Sequence, residues 1–183
     1  MIAVLISIRP EWCQKIMEGQ KTIEVRKTRP KMDTPFKCYI YCTQSADMLW
    51  ILKERERSLH PDKIADVFKA AKCGGAYRGN GKIIGEFTCN RVTNLFSNSR
   101  FWLDEDDVLH TCLSAAEMRK YANGAHGLYG WHILDLRVYD HPRELREFYA
   151  VPNEAEVALK AKPRPITRPP QSWRYVEEEL WKD

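Results

Sequence analysis

The segment Gly19–Arg26 constrains the fold of this chain more than any other, because a helical pattern changes to a strand pattern within it. Before it, a helical stripe of apolar side chains is formed by Trp12, Cys13, Ile16 and Met17. Proline suits the first turn of a helix and glycine suits the position just after its end. The sequence therefore predicts a helix from Pro10 to Glu18, with Gly19 ending it and a strand following directly.

Charged side chains alternate with apolar ones along that predicted strand. Ile23 and Val25 fall on one face, and Glu24 and Arg26 fall on the other. The Cα atoms of residues two apart on a strand are separated by roughly 6.6 Å, so the Glu24 carboxylate and the Arg26 guanidinium can pair or can flank a shared ligand. Lys21 lies in the turn before the strand, from which its long side chain can swing to the same side. The alternative is an exposed strand whose charges are all solvated.

The motif G-x-K-x-x-E-x-R is formed by Gly19, Lys21, Glu24 and Arg26, and Ser7-Ile8-Arg9-Pro10 precede it. This arrangement resembles the signature of the ASCH domain, a PUA-like family, and the resemblance resumes at Gly81–Glu86 and Gly127–Tyr139. It implies an α+β fold built on a mixed, mostly antiparallel β-barrel, with flanking helices and a helical insertion. It also implies that the cleft behind the motif faces a nucleobase, a nucleotide or RNA.

The resemblance and the residue types together define a candidate ligand site. Its predicted members are Ser7, Arg9, Trp12, Lys21, Glu24, Arg26 and Trp131. A base needs an aromatic wall for stacking and polar groups for its Watson–Crick edge. We expect Trp12 or Trp131 to supply the wall and Glu24 to accept from an exocyclic amine. Lys21 and Arg26 would hold a phosphate or a carbonyl.

Enzymatic activity is a competing interpretation. Some ASCH-like proteins are amidohydrolases that remove the acetyl group from N4-acetylcytidine with a lysine, a threonine and a glutamate, and others are ribonucleases. By resemblance, Lys21 would be the catalytic base and Glu24 a second catalytic group. Glu24 occupies the position of the threonine nucleophile, however, Thr22 is in an offset register, and a partner acid would have to come from Asp104–Asp107. A barrel that binds protein is a third interpretation, because fold does not determine function.

Length and charge fit a modest nucleic-acid binder. The chain has 183 residues and a net charge of +4, which is compatible with RNA but lower than expected for a dedicated duplex-binding protein. No apolar run is long enough to span a membrane, and Met1–Ile6 looks like a strand rather than a signal peptide. We therefore expect a cytoplasmic protein that needs no membrane.

The six cysteines do not form a metal motif. Cys38 and Cys42 share one face of a predicted strand about 13 Å apart, too far for a disulfide or a shared zinc ion. No C-x-x-C pair occurs. We expect free thiols, no metal and no cofactor.

Elsewhere the chain divides into a predicted barrel domain at 1–150 and a basic, proline-rich arm at 151–183. Strands are predicted at 36–43, 81–92 and 128–139, a helical insertion at about 46–75, a loop at 97–107, and a helix at 114–122 from the capping box that begins at Ser114. His132 is expected to be a core histidine.

The C-terminal arm should be extended. It could lay its cations and Trp173 along nucleic acid or over the cleft; equally, it could pack Trp173 on the barrel.

Overall fold

The structure is a computed structural model that describes residues 1–59, 64–97, 100–101, 105–125 and 127–178. Its strands are β1 (Ile2–Ile8), β2 (Ile23–Arg26), β3 (Phe36–Cys42), β4 (Trp50–Leu52), β5 (Ala76–Arg78), β6 (Ile83–Ser97), β7 (Arg100–Phe101), β8 (Gly127–Arg143), β9 (Phe148–Ala150) and β10 (Trp173–Glu178). Its helices are α1 (Pro10–Met17), α2 (Glu54–Leu59), α3 (Ile64–Lys72), α4 (Glu105–Thr111), α5 (Ala115–Ala122) and α6 (Glu154–Ala158).

Eight strands form one large sheet in the order β2-β8-β6-β3-β1-β10-β9, with β7 paired to β6. Only β1 and β3 run parallel among the pairs of this sheet that the structure describes; the others are antiparallel. The predicted α+β class with a mostly antiparallel sheet is confirmed. Closure of this sheet into a barrel is not confirmed, because within the described ranges no ladder joins β2 to β9.

The central strand β1 is buried on both faces, as its continuous apolar sequence predicts. Val4, Ile6 and Ile8 pack in one core cluster, whereas Ala3 and Leu5 pack in a second cluster. All five side chains are at most 2% exposed. The strand therefore anchors two layers of the molecule, and Ser7 at its end comes to lie beside β2.

Helix α1 begins and ends as the sequence predicts. Pro10 occupies its first turn, and Gly19 adopts a positive φ of 72° immediately after it. Cys13 and Ile16 are buried against the core, because the apolar stripe faces inward. Gly19 turns the chain sharply, and β2 then pairs antiparallel with β8, with Glu24 opposite Trp131.

The insertion at 46–75 is only partly helical. Helices α2 and α3 form, but the apolar run Met48–Leu52, interpreted as helical, contains the strand β4, which pairs with β5. That prediction is wrong because a short apolar run has no distinguishing period, and here Ile51 is buried opposite Tyr77 on a partner strand. Pro61, the predicted start of the second helix, lies outside the described residues.

The predicted loop at 97–107 is replaced in part by regular structure. Helix α4 begins at Glu105, because its acidic residues suit the first turn of a helix. Trp102 and Asp104 lie outside the described residues. Helix α5, by contrast, follows the prediction: Ser114 caps it and forms the reciprocal capping box with Glu117.

The C-terminal arm contributes to the sheet. Strand β10 lies between β1 and β9, and Pro165 bridges to Tyr149. Trp173 packs against Trp131 with ring centroids 5.8 Å apart, and its indole N–H donates to Thr28 Oγ1. Trp173 of the arm therefore packs on the sheet.

No described helix is long and apolar enough to cross a membrane. All six cysteines are free, and the described residues contain no cluster of metal-ligating side chains.

Candidate ligand-binding cleft

Three charged side chains of the motif are buried together at the start of β2. Lys21, Glu24 and Arg26 are 2%, 5% and 7% exposed. Lys21 Nζ lies 3.3 Å from Glu24 Oε2, and Arg26 Nη2 lies 3.0 Å from Glu24 Oε1. The carboxylate is therefore held between two cations, and the exposed-strand alternative is wrong. We call these three residues the buried triad.

Lys21 reaches the triad because backbone carbonyls hold its ammonium group. Nζ donates to Ile23 O at 2.9 Å and to Thr111 O at 2.7 Å, where Thr111 is the last residue of α4. Together with Glu24, these acceptors match the three N–H bonds of an ammonium group. Helix α4, which sequence analysis missed, thus fixes the position of the motif lysine.

Arg26 connects three segments of the chain. Its Nη2 donates to Ser7 O at 2.6 Å, and its Nη1 lies 3.5 Å from Ser172 Oγ. Its Nε is buried and has no hydrogen-bond partner within the described part of the chain. Buried donors are normally satisfied, and a partner becomes more valuable as water is excluded. Arg26 is therefore tied to β1 and to the C-terminal arm while one donor stays unused.

Glu24 keeps acceptor capacity for a ligand. An ionised carboxylate offers about four lone-pair directions. One contact to each cation uses two of them, because Lys21 meets one oxygen and Arg26 meets the other. A donor from a ligand in the cleft could use the remainder without displacing either cation.

The buried triad forms part of the wall of a cleft of about 1010 Å³. The lining comes from β1, α1, β2, β3, α5 and the arm, and consists of Ser7, Ile8, Arg9, Glu11, Trp12, Lys21, Glu24, Val25, Arg26, Lys27, Tyr41, Thr43, Gln44, Leu113, Glu117, Lys120, Tyr121, Asn123, Pro169, Pro170 and Gln171. Its volume lies at the upper limit of the range typical of small-molecule sites.

Three aromatic side chains line this cleft: Trp12, which precedes the motif in the sequence, and Tyr41 and Tyr121, which follow it. The Trp12 ring lies 5.3 Å from Lys21 Nζ, and the Tyr121 ring lies 5.3 Å from Lys27 Nζ. Burial raises the pKa of Tyr121, and the nearby charge of Arg26 opposes that shift. The cleft thus offers aromatic surface next to a buried charge cluster.

The C-terminal arm closes one side of the cleft. Ser7 Oγ donates to Pro170 O at 2.6 Å, and the Ser7 N–H donates to Ser172 O at 2.9 Å. Pro169, Pro170 and Gln171 consequently line the cleft. Sequence analysis missed them as site residues, as it missed Tyr121, although it had placed the arm over the cleft as one possibility.

Six of the seven predicted site residues line the cleft: Ser7, Arg9, Trp12, Lys21, Glu24 and Arg26. Trp131 does not. It is 0% exposed and packs in the core, 5.8 Å from Phe36 between ring centroids. The prediction that Trp131 forms an aromatic wall is therefore wrong, because its strand is apolar on both faces and alternation cannot say which face meets the cleft.

The residues that the hydrolase interpretation needs are not all brought together. Thr22 donates its N–H to His110 O and does not line the cleft. Asp106 Oδ1 lies 3.7 Å from His110 Nδ1, and Asp107 Oδ1 lies 3.7 Å from Arg91 Nη2. Neither aspartate lines the cleft. The described part of the predicted acidic partner is therefore placed elsewhere.

Comparison with known proteins identifies the family. The ASCH domain model matches residues 6–101, which is 96 of the 183 residues. The crystal structure of ASCH from Zymomonas mobilis is similar with a TM-score of 0.56 and 18% identity, over 97% of this chain and 89% of that one. A serine-to-alanine mutant of that protein gives a TM-score of 0.53, 16% identity and coverage of 96% and 88%. No curated protein matches significantly. The chain belongs to the ASCH domain family.

Proposed function

We propose that this protein binds a nucleobase, within a nucleotide or RNA, in the cleft lined by Lys21, Glu24 and Arg26. The observation that carries this proposal is the burial of the triad in the wall of a cleft with aromatic surface. Burying three charges is expensive, and hydrophobic replacements of such groups often stabilise a protein. An arrangement of this kind at a cleft is a candidate for recognition rather than for stability.

The chemistry of the cleft suits a base. Stacking on an aromatic ring is worth about 1–3 kcal/mol per base, and Trp12 offers such a ring beside the triad. The free acceptor directions of Glu24 match an exocyclic amine. Arg26, with an unused donor, matches a carbonyl acceptor after a small movement of its side chain.

Charge in the cleft predicts a weak dependence on salt. Five lining side chains are cationic and three are anionic, a difference of two positive charges. Each phosphate that a protein neutralises contributes about −0.9 to the logarithmic salt slope on duplex DNA and about −0.7 on single strands. Few phosphates can be contacted, so we expect a shallow slope and selective binding of single-stranded ligands.

Titration of short single-stranded RNA and of nucleotides, followed by fluorescence anisotropy or calorimetry, tests the proposal. Arg26→Gln should weaken binding at least tenfold, whereas Arg137→Gln should leave it unchanged, because Arg137 is exposed and outside the cleft. Trp12→Leu is a second variant that preserves all three triad charges. Equal affinity of wild type, Arg26→Gln and Trp12→Leu would contradict the proposal.

Amidohydrolase activity is the second candidate, and it rests on the contact between Lys21 and Glu24 in a poorly solvated cleft. Lys21 would act as the base. The Ser7 hydroxyl, one of the hydroxyl groups that line the cleft, donates to Pro170 O, so Ser7 is not positioned as an activated nucleophile. Acetate release from N4-acetylcytidine by wild type, abolished in Lys21→Met, would establish turnover. Absence of release together with a ligand-induced rise in melting temperature would favour binding alone.

A reducing cytoplasmic environment is part of the proposal. Six free thiols, four of them buried, fit a compartment in which disulfides do not form. Fractionation of cells that express a tagged protein would test this location.

A further inference from the structure

Three exposed cations surround the mouth of the cleft, outside the buried triad. Arg9, Lys27 and Lys120 are exposed and line the same cavity. We call them the cationic rim. We propose that Lys27 and Lys120 form a phosphate-binding subsite, so that the ligand is a phosphorylated nucleotide or a residue within an RNA chain rather than a free nucleoside. This inference rests on the proposed function and specifies its ligand.

The cations of the buried triad are poorly placed to serve a phosphate. The three N–H bonds of Lys21 are matched by Ile23 O, Thr111 O and Glu24. Arg26 Nη2 already meets Ser7 O and Glu24. A phosphate that replaced these acceptors would also have to approach the Glu24 carboxylate, which repels it. The anion-binding capacity of the cleft therefore lies at its rim.

Lys27, Lys120 and Tyr121 line the same cavity. Lys27 Nζ lies 5.3 Å from the centroid of Tyr121, and Lys120 directly precedes Tyr121 near the end of α5. In the described ranges, neither lysine has a carboxylate within ion-pair distance. Both ammonium groups consequently remain available as donors to an anion.

The acids of the cleft mouth are occupied elsewhere. Glu11 lies 3.8 Å from Arg9 and partly offsets the charge of that arginine. Glu117 accepts from the backbone N–H and the hydroxyl of Ser114 through Oε2, in the capping box of α5. The capping contacts lower the pKa of Glu117, which lies three residues before Lys120 in α5, and fix its Oε2 on Ser114. Glu117 therefore offsets part of the charge at this side of the rim, but it forms no ion pair with Lys120 or Lys27 in the described ranges.

The position of the subsite fits the shape of a nucleotide. Trp12, Glu24 and Arg26 lie on the side of the cleft built by α1 and β2. Lys27 directly follows β2, and Lys120 belongs to α5, so the subsite lies between these two sides. A base placed against the triad would direct its sugar and phosphate toward the mouth, where charge and exposure favour an anion. Phosphate held by lysine side chains in this way adds affinity without base specificity.

Calorimetric titration of the full chain with the four nucleosides and their 5′-monophosphates tests the subsite. For the nucleoside that binds best, we expect the monophosphate to bind at least tenfold more tightly to wild type. The double variant Lys27→Gln/Lys120→Gln should lose this advantage and keep its nucleoside affinity. The control Lys69→Gln/Lys72→Gln carries the same charge change on α3, with both lysines exposed and outside the cleft, and should keep it. Melting curves verify folding of both.

The outcomes separate this inference from the function on which it rests. Equal binding of nucleoside and monophosphate by wild type overturns the subsite and leaves the base-binding function standing. The same conclusion follows if the double variant still binds the monophosphate more tightly than the nucleoside by the wild-type factor. No binding of any nucleoside, nucleotide or oligonucleotide overturns both. A tetranucleotide without terminal phosphates distinguishes the source: tight, salt-dependent binding that needs the two lysines indicates an internal RNA phosphate, and binding of the monophosphate alone indicates a free nucleotide.

Discussion

Glu24 Oε1 lies 3.0 Å from Arg26 Nη2, on a strand where both side chains are less than 10% exposed. The two residues share one face of β2, and Lys21 reaches the second carboxylate oxygen from the preceding turn. The local chain geometry thus places the three charges side by side, and the rest of the fold holds and covers them.

Removal of the carboxylate should destabilise the protein strongly. Glu24→Ala leaves two buried cations without their shared partner, and breaking a buried pair in this way costs about 3–5 kcal/mol. Urea unfolding followed by circular dichroism measures the change. The control is Glu11→Ala, which removes an exposed carboxylate paired with Arg9 and should cost at most about 1 kcal/mol. Similar losses for the two variants would contradict this prediction.

The triad was predictable because its members are close in sequence. A turn and one strand face place Lys21, Glu24 and Arg26 side by side, whatever long-range contacts then hold them. The surrounding residues were not predictable. Thr111 is 90 positions from Lys21, and Ser172 is 146 positions from Arg26. Only sheet topology brings them together, and no local pattern records it.

Errors in the fold prediction have the same origin. The apolar residues of Met48–Leu52 are compatible with either a helix or a strand, and pairing with β5 makes Trp50–Leu52 a strand. Trp131 lies on a strand with apolar residues on both faces, so its direction could not be known in advance. By contrast, α1 and α5 were predicted closely, because Pro10, Gly19 and the Ser114 capping box are local signals.

Loss of the α5 cap should destabilise the protein in a pH-dependent manner. Ser114→Ala removes an N-cap, which typically costs about 0.5–2 kcal/mol. The pKa of Glu117 is lowered from 4.5 first by the backbone N–H of Ser114, which alanine keeps, and second by the Ser114 hydroxyl, which alanine removes. The hydroxyl contact therefore gives the wild-type folded state an additional gain from the ionised form. This gain is present above the ordinary pKa and is lost as pH falls through the lowered one. The cost of Ser114→Ala, measured by urea unfolding, should shrink on acidification.

A second cap provides the comparison for that experiment. Asn153 caps α6 with the same reciprocal box, but α6 has no buried residues. Its loss should fray the helix locally and change global stability little. A cost for Ser114→Ala that does not depend on pH, or that only equals the cost of Asn153→Ala, would contradict the prediction.

His132 should make the protein less stable in mild acid. Burial lowers its pKa below 6.5, and the neighbouring charge of Arg91 lowers it further, whereas Asp107 opposes the shift. The unfolded chain therefore binds the proton more readily, so stability is complete above about pH 6.5 and decreases as pH falls from there through the lowered pKa. His132→Gln should show a smaller decrease over this window in urea unfolding at several pH values. If the free energies of unfolding of wild type and His132→Gln decreased in parallel as pH falls, His132 would not be the group responsible.

Truncation before Lys160 should abolish folding rather than ligand binding alone. Strand β10 would be lost, and its residues pair with Ile2–Ile6 along the central strand β1. The truncation would leave a row of backbone groups in β1 unpaired and would remove the contact between the Trp173 and Trp131 rings. Both losses would lower the free energy of unfolding. Circular dichroism and melting curves should show a largely unfolded chain, whereas Lys160→Gln/Lys162→Gln, which changes two exposed cations of the arm, should melt like wild type. A truncated protein that melts cooperatively near the wild-type temperature would show that the sheet does not need this strand.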